Sequence, residues 1–143
     1  MTLDWLPDCA RQRLLSEVHP CGSGGIWSGV TIDCADPRRL GEFWSALLGR
    51  EPSEALPGWV RLGVHSDALP VICFQPVPEP KQGKTRIHLD VTVDDIEEAI
   101  ATIQRLGGGW TGERHDYGEG VVLVMTDPEG NEFCVVQYYG ESP

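Results

Sequence analysis

Residues 86–93 read "RIHLDVTV", with Ile87, Leu89, Val91 and Val93 alternating against Arg86, His88, Asp90 and Thr92. A strict period of two predicts a strand that packs one face on a core and turns the other elsewhere. "DDIEEAIATIQRLGG" follows, where Ile96, Ala99, Ile100, Ile103 and Leu106 recur at helical spacing. "VVLVM" then predicts a strand, "TDPEGNE" a tight turn in which Gly130 takes a positive φ, and "FCVVQYY" a final strand. Between helix and strand, "GERHDYGEG" (112–120) carries three glycines among polar residues and reads as a mobile loop presenting His115, Tyr117 and Glu119.

The preceding half has the same order. In "IWSGVTIDC", Val30, Ile32 and Cys34 alternate with Trp27, Gly29, Thr31 and Asp33. In "DPRRLGEFWSALLG", Asp36 suits an N-cap, Pro37 the first turn and Gly49 the stop, with Leu40, Phe43, Trp44, Leu47 and Leu48 as the apolar stripe. "GWVRLGV" and "LPVICFQ" are strand-like and separated by a turn around Asp67. Placing Gly29 on His88 brings Asp36 onto Asp95, Leu47 onto Leu106 and Gly49 onto Gly108. The expected fold is therefore α+β: two tandem βαβββ modules, residues 26–78 and 84–139, within one domain spanning 26–143. Helices lie outside, and the twisted sheets curl into a half-barrel cup whose wall includes the polar face of "RIHLDVTV". Residues 1–25, where Ala10, Leu14, Leu15 and Val18 follow Pro7 at helical spacing, form an N-terminal helical extension and linker.

Charge and cysteines narrow the partners. Eleven basic residues against twenty-two acidic ones give a formal charge of -11, which repels phosphate backbones and anionic membranes, so neither nucleic acid nor a membrane is an expected partner. Five cysteines, an odd number without a C-x-x-C pair, fit reduced thiols in the cytoplasm. No stretch has the length and apolarity of a membrane span, and the first residues lack the pattern of a secretory signal.

The stretches "VTIDCADPRRLGEFWSALLG", "RIHLDVTVDDIEEAIATIQRLGG" and "DPEGNEFCVVQ" together resemble the vicinal oxygen chelate superfamily, specifically the glyoxalase-like domains of the glyoxalase/bleomycin resistance protein/dioxygenase group. The resemblance covers residues 26–138. It implies a ligand cup, a homodimer and, in metal-dependent members, one divalent ion held from the first and last strand of each module. Those positions fall here at Gly29, Cys73, His88 and Cys134, with Gln75 replacing Cys73 if the register slips. One imidazole and no carboxylate do not make a hard octahedral site. The expectation is therefore no metal cofactor. A zinc ion on His88, Cys73 and Cys134 is the variant that the donor types allow.

His88 and Asp90 share a strand face and suit an acid/base or hydrogen-bonding pair; Asp33 is the matching carboxylate of the first module. Trp27, Thr31, Trp59 and Gln75, with His115 and Tyr117 from the loop, are candidate ligand contacts, the tryptophans as flat stacking walls. Each has a plainer reading: His88 and Asp90 tether neighbouring strands, Asp33 satisfies backbone near a helix start, and the loop is a solvated connection. No G-x-S-x-G, P-loop or dinucleotide fingerprint is present. Two functions follow. One is a metal-free protein that binds a small organic molecule in the cup, sequestering an antibiotic or metabolite. The other is a lyase or isomerase that moves a proton with His88 and Asp90 or Asp33.

Overall fold

The computed structural model describes residues 27–64 and 69–140. The expected N-terminal helix and the turn around Asp67 lie outside the described residues. Ten elements follow one another: β1 (Gly29–Cys34), α1 (Pro37–Leu48), β2 (Pro52–Glu54), β3 (Val60–Leu62), β4 (Val71–Pro76), β5 (Asp90–Thr92), α2 (Ile96–Arg105), β6 (Gly109–Tyr117), β7 (Gly120–Thr126) and β8 (Glu132–Tyr138). They form two four-stranded mixed sheets, ordered β1-β4-β3-β2 and β5-β8-β7-β6. In each sheet the first strand runs parallel to the last and the remaining pairs are antiparallel. The two βαβββ modules expected from the repeat are thus present.

Local chemistry sets the helix ends. The Asp36 carboxylate accepts from Arg39 N and starts α1 with Pro37 in its first turn; Gly49, at φ 65°, ends it in the left-handed region. Asp95 caps α2 in the same way through Glu98 N, and Glu97, Glu98 and Arg105 are placed to complement the helix dipole.

The apolar faces of both sheets and both helices share one core. Leu40, Phe43 and Trp44 of α1, Leu62, Ile72 and Phe74 of sheet one, and Leu123, Met125, Phe133 and Val135 of sheet two all belong to it. Phe43, Trp44 and Phe133 meet edge to face, with Trp44 and Phe133 centroids 4.7 Å apart. The modules are also clasped by the 127–131 turn, where Gly130 has φ 82°. Buried Asp127 accepts from Trp44 Nε1, and Glu129 accepts from Ala35 N and Asp36 N at 2.6 and 3.0 Å. The second module's turn therefore fixes the start of the first module's helix.

Three expectations are corrected. The strand "RIHLDVTV" is regular only over Asp90–Thr92, and Ile87 is 81% exposed rather than in the core. Residues 86–88 lie outside the ladder with β8, so alternation alone does not carry Ile87 to the apolar side. The expected loop "GERHDYGEG" is mostly strand: β6 runs to Tyr117 and pairs with β7, leaving only Gly118 and Glu119 as the turn. It lacks alternation because it is an edge strand exposed along nearly all its length, with an irregularity between Trp110 and Arg114. Trp27 precedes β1 instead of belonging to it, 69% exposed, its Nε1 donating to Gly29 O.

Candidate functional site

The pairing register divides the polar residues into two sets. Asp90 lies opposite Cys134, Thr92 opposite Val136, Val122 opposite Val136, and His115 opposite Val122. Opposed residues share a face, so Asp90, Thr92, Cys134, Val136, Tyr138, Val122, His115 and Tyr117 belong to the face of sheet two turned away from the core, and His88, outside the ladder, reaches it through Asp90 and Cys134. Thr31, Asp33, Cys73 and Gln75 occupy the corresponding face of sheet one, where Trp59, next to Val60, joins them by alternation.

On sheet two, three groups converge. His88 Nδ1 stands 3.6 Å from Asp90 Oδ1 and 3.8 Å from Cys134 Sγ, the second a hydrogen-bonding distance for sulfur. All three donor atoms lie within 4.8 Å of one another. Burial pushes the Cys134 thiol up, and the Asp90 charge and hydrogen bond add to it, so the group is a thiol at neutral pH. Beside this cluster, Asp90, Tyr117, Glu119, Gly120, Val122, Val136 and Tyr138 line an open cleft of about 220 Å³. His115 stacks on Tyr117 at 6.2 Å and holds Glu113 Oε1 at 2.6 Å through Nε2.

The structure thus gathers His88, Asp90, Cys134 and Tyr117, with His115 beside them. Asp33, Thr31, Cys73, Gln75 and Trp59 are on the other sheet. Among the described residues, no hydrogen bond, ion pair or ring contact joins the outward face of one sheet to that of the other. Tyr138, Val136 and Val122 are additions; the alternation of Cys134, Val136 and Tyr138 in "FCVVQYY" was the signal that could have found them.

A zinc-like ion fits the gathered donors. One imidazole, one carboxylate and one thiol, at separations of 3.6 and 3.8 Å, suit a four-coordinate ion with a free position; hard, oxygen-rich coordination does not fit. Asp90 takes the place expected of Cys73. Gly29 cannot contribute, and a Cβ there would come within 2.7 Å of Val71 O. The last strand does begin with a carboxylate, Glu132, contrary to the sequence reading, but its oxygens take Thr85 N at 2.9 Å and Lys81 Nζ at 3.2 Å.

The profile of the glyoxalase-like domain family matches residues 29–136. Three solved structures have the same fold. A glyoxalase/bleomycin resistance protein/dioxygenase family enzyme from Burkholderia phytofirmans PsJN is 17% identical, with TM-score 0.67 over 80% of this chain and 100% of that one. The genomically encoded fosfomycin resistance protein FosX from Listeria monocytogenes is 18% identical, with TM-score 0.62 over 80% and 93%. Lactoylglutathione lyase from Agrobacterium tumefaciens is 16% identical, with TM-score 0.54 over 80% and 94%. No curated protein sequence matches the chain.

Proposed function

Because the chain belongs to the glyoxalase-like domain family of the vicinal oxygen chelate superfamily, we propose that it binds a small organic molecule against the outward face of sheet two, independently of a metal. The observation that carries this reading is the convergence of His88, Asp90 and Cys134 beside a cleft walled by Tyr117 and Tyr138. Tyrosines supply flat apolar area with a polar tip, and the imidazole–carboxylate pair supplies directional hydrogen bonding. Gly29 offers no side-chain ligand at the first-strand position, which supports binding without a resident ion. Zinc, when bound, would be held by His88, Asp90 and Cys134 and would polarise a ligand oxygen.

The cup is completed by a second copy of the chain. The cleft of about 220 Å³ is lined by sheet two alone, below the ~300–1,000 Å³ common for enclosed ligand sites. Both β1 and β5 are edge strands, and Trp27 and Ile87 beside them are 69% and 81% exposed. Pairing the first module of one copy with the second module of another covers these edges and places Thr31, Asp33 and Gln75 across from Tyr117 and Tyr138.

A thermal-shift screen of small organic molecules on the full chain, with and without EDTA, tests the reading. The expected result is a ligand that raises Tm equally in both conditions and loses about tenfold or more in affinity in His88→Ala and Tyr138→Ala. Light scattering is expected to give a dimer. Hits indifferent to both substitutions, or binding abolished by EDTA, would sink the proposal.

The 3.6 Å His88–Asp90 pair favours one alternative, a lyase or isomerase working by proton transfer at His88 with Asp90 orienting the ring. Turnover of a ligand that Asp90→Asn abolishes while affinity survives would establish it.

A further inference from the structure

A single row of side chains crosses the outward face of sheet one. Ser53 lies opposite Arg61, Arg61 opposite Cys73, and Cys73 opposite Thr31. Two hydroxyls, a guanidinium and a thiol therefore stand abreast across all four strands, with no carboxylate in the row. Arg61 is half-buried, and its Nε is shielded from solvent with no hydrogen-bond partner. Among the described residues its side chain makes no hydrogen bond or ion pair.

That arrangement is costly to the free protein, because a buried guanidinium N–H without an acceptor has given up water and gained nothing. Acidic partners are not scarce: the chain has twenty-two Asp and Glu residues, yet among the described residues none pairs with the Arg61 side chain. We infer that Arg61 is the anion receptor of the cup, and that the ligand carries an oxyanion, a carboxylate, phosphate or phosphonate. The terminal N–H groups of the guanidinium match two oxygens of such a group, while Ser53 and Thr31 offer hydroxyls on either side. The inference rests on the reading that the outward faces of the sheets form a ligand cup, and adds the charge class of what enters it. On a chain with a formal charge of -11, a guanidinium whose Nε is already shielded from water selects an anion that the rest of the surface repels.

Two probes of similar size separate this inference from the reading beneath it: phenylphosphonate, and uncharged benzamide, each titrated calorimetrically into the full chain. Wild type is expected to favour phenylphosphonate by about tenfold or more. Arg61→Gln is expected to bring the two affinities within about twofold, chiefly by lowering that for phenylphosphonate, and Arg61→Lys to keep part of the preference. The unliganded Arg61→Gln protein is expected to melt about 2–5 °C above wild type, since an unsatisfied group has been removed; this also shows that it folds. Wild type binding benzamide without preferring the anion overturns the inference and leaves the cup reading standing. So does an anion preference that survives Arg61→Gln and disappears in His88→Ala, which puts the oxyanion on sheet two. Absence of saturable phenylphosphonate binding overturns it, as does a dimer structure in which Arg61 pairs with a carboxylate of the second copy.

Discussion

The carboxyl of Glu132 is pulled from its ordinary 4.5 down to about 2 by hydrogen bonds from Thr85, with Lys81 contributing further. Its folded pKa lies below its unfolded one, so the contribution to stability is complete above about 4.5 and disappears as the pH falls towards about 2. Glu132→Gln is therefore expected to be less stable than wild type at neutral pH, with the difference closing between those two values. Urea unfolding across that range checks it, and a pH-independent gap would assign the effect to packing. At this scale the sequence was a fair guide to type and a poor one to company. His88 and Asp90 were legible as face-sharing neighbours, but that they meet at 3.6 Å with Cys134 as the third member depends on β8 lying parallel to β5. Glu132 went unread because nothing local says that Thr85 and Lys81 fold back onto it.

Among the elements, helices were the most legible because their ends are set by local chemistry. Asp36 and Asp95 each accept a backbone N–H three residues on, as the position of Asp36 before an apolar periodic run foretold for α1. Asp36→Ala and Asp95→Ala are each expected to cost about 1 kcal/mol, and the double substitution about the sum, since the caps belong to different helices. Denaturant unfolding at fixed pH measures this. Strands were less legible where their surroundings are unusual. β6 has exposed residues along both faces, so the alternation that marks half-buried strands is missing. β5 is only three residues long, shorter than its pattern.

For the whole molecule, the 127–131 turn decides how the modules are joined. Asp127, 3% exposed, accepts from Trp44 Nε1, Glu129 N, Asn131 N and Asn131 Nδ2. Removing the carboxylate leaves four donors without it, one of them from the other module. Asp127→Ala is expected to lose about 3 kcal/mol, with Asp127→Asn losing less and unfolding remaining a single transition. Two separate transitions would mean that the modules fold independently of the clasp.

The strand–helix–strand order of each half, without β2 and β6, the duplication, the cap of α1 and the positive-φ turn at Gly130 were determined by the sequence alone, because each follows from interactions among residues a few positions apart or from the period of the apolar pattern. Tertiary structure decided the rest. It alone set the grouping of His88 with Asp90 and Cys134, the tyrosine-lined cleft, the unpartnered guanidinium of Arg61 and the clasp from Asp127 and Glu129. These arise where strands distant in the chain come into register, and register is fixed by the packing of the whole core rather than by any one segment.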